Sequence, residues 1–462
     1  MPAQAPPEST LHEPTAQGSS GAAATVPMVP ALALVWSQEE AARVGEVVCL
    51  PRTVGVPFTI GRADVPGDDG VLPLGLTRLR PYARVETGPL RAGQVSRWQL
   101  RVRVVDEEVV LVEPLGRVGL RLNGEPVEGQ AHAQVGDLLE VQGRFSLLVT
   151  RRPSDWGPGD PWSAPFPFGE ADAHGIVGES PATWELRRRI AFVAPLREHV
   201  LVHGPTGAGK ELVVQALHRQ SVRAASPLIV RAAATLPEAR IDAELFGTAE
   251  RAGLVAEAEG GALFLDELGA LPLALQARLL RVLDTGEYHR EGEPRARVAD
   301  LRVLAATPGA PTELRTELQA RFIHRIRVSG LDERREDLPL IVRHLLRRMA
   351  REPAAPERVA GASLIAALIW HPFTAHTREL LELLWRAVAA SPGPVLVAPP
   401  DAAPPPPPRP SASYTAPDAL GRDQVLAALA ACGGVREQAW RMLGLRSRDQ
   451  LKRLLKKLAI DA

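Results

Sequence analysis

Two stretches decide how this chain folds: His203-Gly204-Pro205-Thr206-Gly207-Ala208-Gly209-Lys210-Glu211, and Gly260-Gly261-Ala262-Leu263-Phe264-Leu265-Asp266-Glu267. The first leaves the apolar run Val200–His203 and opens a helical stretch at Leu212–His218. The small residues among Gly204, Thr206, Gly207, Ala208 and Gly209 let backbone N–H groups turn inward around phosphates. The helix N-terminus adds partial positive charge, and Lys210 reaches the terminal phosphates. Glu211 stands where the general pattern has Ser or Thr. The second stretch is a buried strand ending in two acids, at the strand end where an α/β sheet places its ligands. Asp266 suits a magnesium ion, and Glu267 suits polarising an attacking water.

Around that centre, short apolar runs at 228–232, 262–265 and 301–307 alternate with helical periodicity, as in Leu273–Leu283. This predicts a parallel sheet with crossover helices over 173–330. Upstream, Trp98, Leu100, Val102 and Val104 alternate with Gln99, Arg101 and Arg103, and further short strands follow. An all-β sandwich is expected over 30–152. Residues 1–29 show no periodicity and read as a disordered tail. Residues 153–172 read as a Pro/Gly linker, and 392–417, with Pro404 to Pro408, as a stiff polyproline spacer.

Proline is the compositional outlier at 43 of 462 residues, against ~5% in an average protein. The 54 basic and 54 acidic residues cancel, which excludes a protein basic throughout but leaves room for a local basic module. Two cysteines are too few for a disulfide scaffold or a four-thiolate zinc site. No window approaches the ~18 uninterrupted apolar residues of a membrane span, and no secretory signal opens the chain. A cytoplasmic protein without a membrane partner is expected.

The basic module sits at the end. Residues 424–431, 436–443 and 448–458 read as three helices, with Ser447 and Gln450 forming a capping box for the third. Leu451, Leu454, Leu455 and Leu458 give one apolar stripe, and Lys452, Arg453, Lys456 and Lys457 lie off it. From Arg436 to Lys457 there are eight basic and two acidic residues. A basic excess on a helix-turn-helix is the footprint of contact with DNA phosphates. Arg446, Ser447, Arg448, Lys452, Arg453 and Lys456 are the candidate DNA-binding residues.

Ile176-Val-Gly-Glu-Ser-Pro181, the 204–211 loop, Glu244-Leu-Phe-Gly247 and the run 260–288 together resemble the AAA+ domain of bacterial sigma-54 activators. The resemblance covers about 215 residues. It implies ATP with Mg2+, a P-loop α/β core at 173–330 with a helical lid at 331–391, and homo-oligomers from dimer to hexameric ring. It further implies contact with RNA polymerase holoenzyme. In that family Glu at the Glu211 position is normal. Arg315 and Arg321 resemble arginines that act in trans on a neighbour's γ-phosphate, a role suited to guanidinium. Arg378, in Arg378-Glu379-Leu380, resembles the sensor arginine of the lid. The end of the chain, 418–462, resembles the Fis-type helix-turn-helix module of the same family. Phe58-Thr-Ile-Gly61-Arg62 and Leu120-Arg-Leu-Asn123-Gly124 resemble a forkhead-associated (FHA) domain, which binds phosphothreonine proteins. Arg62 and Asn123 match that family's phosphate and peptide residues. Thr77 and Arg78 stand where its middle motif falls, and Tyr82 takes the place of its histidine.

Two departures matter. The GAFTGA loop by which the family touches sigma-54 has no counterpart between Gly247 and Gly260. Pro308 stands where the family has the sensor I Asn, and the stretch before Arg315 is short. The expectation is an ATP- and DNA-binding regulator with an FHA input that does not remodel sigma-54 and whose hydrolysis is in doubt. Two other readings stay open: an ATP-hydrolysing sigma-54 activator, and a phosphoprotein adaptor with an inactive AAA+ scaffold.

Overall fold

A computed structural model describes residues 27–81, 83–154, 166–235, 240–309, 314–350, 358–400, 420–431, 439–440, 443, 445, 448–458 and 460. Alternation in the first third produces strands. In β7 below, Leu100, Val102 and Val104 are buried while Arg101 and Arg103 are half-buried, the period of a strand with one core face. The strands are β1 (Met28–Ser37), β2 (Val47–Cys49), β3 (Pro57–Ile60), β4 (Leu72–Pro73), β5 (Leu76–Arg80), β6 (Ala83–Gly88) and β7 (Leu100–Val104). They continue as β8 (Val109–Pro114), β9 (Leu120–Leu122), β10 (Glu125–Pro126), β11 (Ala131–Gln134), β12 (Leu138–Val141) and β13 (Phe145–Pro153). One sheet runs β10-β9-β12-β13-β1-β2-β5-β6 and the other β11-β8-β7-β3-β4. Leu32, Leu34, Leu100, Val102, Val110, Phe145 and Leu147 fill the space between them.

The middle of the chain is α/β. Helix α1 (Pro181–Val193) precedes β14 (Val200–His203), α2 (Lys210–Arg219), β15 (Leu228–Ala232), α3 (Ile241–Phe246), α4 (Leu254–Glu257) and β16 (Ala262–Asp266). Then come α5 (Leu273–Thr285), the short strands β17 (Glu287–Tyr288) and β18 (Arg297–Val298), β19 (Arg302–Thr307), α6 (Thr316–Arg321) and β20 (His324–Arg327). The five long strands are parallel in the order β15-β16-β19-β14-β20. β14 and β19 lie inside the sheet and are apolar almost throughout, as a strand covered on both faces must be. The lid is α7 (Leu338–Ala350), α8 (Ala362–Trp370) and α9 (His376–Ala390). Near the end, α10 (Arg422–Ala431) and α11 (Arg448–Lys457) share an apolar cluster with Ala439, Trp440 and Leu443. Most of the expected middle helix at 436–443 lies outside the described residues.

Between α3 and α4 the chain makes a closed turn. Gly247 N–H donates to Ala243 O (2.8 Å), Thr248 N–H donates to Arg251 O (2.9 Å), and Gly247 and Ala252 form a bridge. The turn is pinned from outside, where Glu291 N–H donates to Gly247 O (2.8 Å) and Ala249 N–H to Glu291 O (3.1 Å).

Residues 166–172 differ from the expected linker. Phe166 and Phe168 lie under Arg80 (4.3 and 5.4 Å to the ring centres), and Phe166 stacks on Trp184 of α1 at 5.8 Å. The aromatic faces meet guanidinium ions rather than water, so this end of the proline-rich stretch fastens the sandwich to the α/β domain.

A β-carbon on Gly253 would stand 2.3 Å from Gly247 N and 2.7 Å from Leu245 O. Gly253→Ala should therefore cost about 1–3 kcal/mol, read as a lower urea midpoint at unchanged slope.

Candidate functional site

The loop 204–209 leaves the C-terminal end of β14 and enters α2. Gly207 has φ of 78°, and a β-carbon on it would stand 2.1 Å from Ala375 O. Its own carbonyl accepts from Thr377 N–H at 3.1 Å. The loop and the first turn of α9 thus touch directly, and the cleft lies between core and lid. Lys210 is half-buried, and its Nζ donates to Gly204 O (2.9 Å) and Pro205 O (3.1 Å). Burial pulls its pKa down, against the carboxylates of Asp266 and Glu267. The ammonium is held on loop carbonyls that phosphate oxygens can replace. Thr206 is exposed, Ala208 is buried, and Glu211 lies exposed in the first turn of α2, accepting from Gln215.

Asp266 ends β16. Its Oδ1 accepts from Glu267 N–H (2.9 Å), and no bond occupies the other oxygen among the described residues. A carboxylate oxygen is the hard anionic donor that magnesium takes, so this residue fits the ion. Glu267 is exposed, with φ of 53°, a left-handed backbone that costs a non-glycine residue about 1–2 kcal/mol. Pro308 follows Thr307 at the end of β19, whose carbonyl accepts from Gly204 N–H (3.3 Å); its ring offers no polar group there.

Arg378 is exposed in the first turn of α9, near enough to act on the Lys210 charge. Beside it, Glu379 is half-buried. Burial opposes its ionisation, but hydrogen bonds from Ala375 N–H (2.9 Å), His371 (2.7 Å) and Thr374 N–H (2.7 Å) outweigh it, taking the carboxyl down to about 2. Arg315 caps the start of α6 beside Glu317 (3.5 Å), and Arg321 pairs with Asp284 of α5. Both are exposed and bond to no P-loop residue among the described residues.

The structure places the phosphopeptide residues predicted from sequence in different settings. Thr77 is buried within β5. Arg78 donates to Glu46 (2.9 Å) and covers the Phe168 ring. Asn123 is buried at the β9–β10 turn, where its amide donates to Asp137 (3.0 Å) and accepts from Leu138 N–H (2.9 Å). Only Arg62 remains exposed, at a loop apex tied by buried Gln99. That side chain accepts from Ser96 N–H (3.2 Å) and donates to Val118 O (2.9 Å). Arg97 and Arg117 share this apex and, like Arg62, form no ion pair among the described residues. Tyr82 lies outside the described residues.

At the end of the chain, Lys452, Arg453 and Lys456 are exposed on α11, opposite the buried Leu451, Leu454 and Leu455. Arg446 and Ser447 lie outside the described residues, as does the Arg448 side chain. Sequence reading missed Arg334 as a site residue. It is buried and reaches Ala208 O of the P-loop (3.2 Å) and Thr183 Oγ1 (3.4 Å). Its only signal was its place in the run that opens the lid.

A P-loop on a parallel sheet, a strand-end acid pair and a three-helix lid make this an AAA+ domain. A family described as "Sigma-54 interaction domain" matches residues 176–332. The transcriptional regulatory protein ZraR of Escherichia coli K12 is 34% identical over 322 residues, across 63% of this chain and 70% of ZraR. The DNA-binding transcriptional regulator NtrC of the same organism is 36% identical over 239 residues, across 48% of this chain and 51% of NtrC. A crystal structure of NtrX from Brucella abortus in complex with ATP shares 29% identity at a TM-score of 0.47, covering 63% of this chain and 70% of that one. The chain belongs to the sigma-54-dependent transcriptional regulators. Among the described residues no helix is long and apolar enough to cross a membrane.

Gly207→Ala places a side chain in the left-handed region and against the lid. It should cost at least about 1–2 kcal/mol and speed hydrogen exchange at Thr377 N–H, the proton that closes the cleft.

Proposed function

We propose that the chain is an ATP-binding, DNA-binding transcriptional regulator whose AAA+ domain does not remodel sigma-54. The observation that carries this reading is the turn at 247–253, closed by its own hydrogen bonds and pinned by Glu291 where the family carries its sigma-54 loop. Gly204, Thr206, Gly207, Ala208, Gly209, Lys210 and Glu211 would hold the phosphates of ATP, Asp266 the magnesium, and Arg378 would meet the nucleotide from the lid. Glu267 would orient water, with Arg315 and Arg321 reaching a neighbour's site in a homo-oligomer. Pro308, which follows β19, has no side-chain hydrogen-bonding group to offer that water or the γ-phosphate, so turnover would be slow or absent.

DNA binding falls to Arg446, Ser447, Arg448, Lys452, Arg453 and Lys456. Nucleotide would set assembly, and assembly the spacing and avidity of these modules. The sandwich would take a phosphorylated protein at the apex carrying Arg62, where guanidinium ions suit a doubly charged group.

Two measurements test this. Wild type should bind ATP, and Lys210→Ala should not; neither should retain sigma-54 in the presence of a transition-state analogue of ATP. Sigma-54 retention by wild type, with ATP turnover rising faster than protein concentration, would establish the remodelling activator instead. Lys452→Ala/Arg453→Ala/Lys456→Ala should weaken duplex DNA binding across sequences and lower the salt slope by about 2–3. An unchanged slope would favour the adaptor.

A further inference from the structure

We propose that the β-sandwich is a brace across the joint between the α/β core and the lid, with Arg80 and Arg152 as positioning residues for the nucleotide cleft. The proposal rests on reading 203–211 as the nucleotide site. The joint is Arg334-Arg335-Glu336-Asp337, and three of its four residues engage three different parts of the molecule. Arg334 reaches Ala208 O of the P-loop (3.2 Å). Asp337 accepts from Glu179 N–H (2.7 Å) and Ser180 N–H (2.9 Å) at the start of α1. Glu336 accepts from Arg152 of β13 (2.5 Å), and both side chains are nearly sealed from water, at 2% and 10% exposure.

The sandwich grips both sides of this joint. On the lid, Val35, Val44 and Leu148 enter one apolar cluster with Leu340, Leu345 and Ile365, and Trp36 Nε1 donates to Ala360 O (3.2 Å). On the core, Arg80 forms a two-toothed pair with Glu179 (2.6 and 3.0 Å) and donates to Phe166 O (2.7 Å). Glu179 adjoins Ser180, the cap of α1, and also accepts from Trp184 Nε1 (3.0 Å). A rigid body held at two points fixes the angle between them. The cleft is bounded by that same angle, because Gly207 of the core meets Thr377 of the lid. Nucleotide in the cleft and the sandwich at the joint therefore act on one degree of freedom, and each must change the other's affinity by the same factor. Buried charges make the grip nearly all-or-none, since losing one partner strands the other out of water.

The test uses the full chain. Arg152→Met and Arg80→Met should each shift the dissociation constant for mant-ADP by about fivefold or more. ADP should slow hydrogen exchange in β13 of wild type and not of either variant. The pair Arg152→Met/Glu336→Leu, which fills the contact with apolar groups and leaves no charge unpaired, should restore wild-type affinity; a role of Arg152 confined to the sandwich's own stability would not be rescued by a change in the lid. Unchanged mant-ADP affinity in both single variants, or no effect of ADP on β13 in wild type, overturns the coupling. If wild type binds no mant-ADP, the nucleotide reading fails, and bracing is decided by exchange without nucleotide. Faster exchange of 338–346 in the Arg80→Met chain, with β7 unchanged, upholds it; equal exchange sinks it.

Discussion

The shape of the nucleotide cleft depends on one buried carboxylate. Asp337 is 1% exposed, and its two oxygens take four hydrogen bonds. They come from Glu179 N–H, Ser180 N–H, Ser180 Oγ (2.5 Å) and Thr183 Oγ1 (2.6 Å). Each bond to an ionised acceptor contributes about 1.5–3 kcal/mol, which offsets the cost of taking the charge out of water. The donors come from the first residues of the α/β core and the acceptor from the first residues of the lid. The bond from Ser180 N–H thus joins residues 157 positions apart in the chain.

The same carboxylate lies at the N-terminus of α1, where a negative charge meets the helix dipole favourably. The opposite end is treated in the complementary way. Arg302, buried at the start of β19, donates to the carbonyls of Val193 (2.9 Å) and Ala194 (2.8 Å), the last turn of α1. Burial lowers this guanidinium to about 10, yet it stays charged. Helix α1 is thus fixed at one end to the lid and at the other to the strand whose C-terminus abuts the P-loop. Its side bears Trp184 and Arg187, which hold Phe166. One helix indexes the lid, the sheet and the sandwich against one another.

What the sequence made legible is what short-range pattern encodes. The P-loop follows from small residues at a strand-to-helix turn, the acid pair from a strand that runs out of apolar residues, and the α11 stripe from leucines at helical spacing. The short connection after Gly247 was legible as a length, and its closed turn was not. The joint was not. Arg334, Glu336 and Asp337 are three ordinary charged residues at a helix start, and only partners more than a hundred residues away decide that they are buried. The same holds for Arg78, which a local motif assigns to a phosphate and the fold pairs with Glu46. Asn123 carries a role that its local motif did not spell out: its left-handed backbone, φ 52°, and its buried amide hold the β9–β10 turn against Asp137 and Leu138.

A closed turn at 247–253 and a sandwich laid across the joint bear on the same question, which is where a change in the cleft is felt. In a domain with a mobile insertion between α3 and α4, movement of the core would appear there. Here that path ends in a turn bonded to itself and to Glu291. The lid meets the cleft directly instead, through Thr377 N–H on Gly207 O. The lid carries the sandwich by an apolar contact and a buried ion pair, and beyond α9 the chain runs on to the basic helix α11. A change at Gly207 would therefore reach the lid first, and through it the sandwich on one side and the chain leading to α11 on the other.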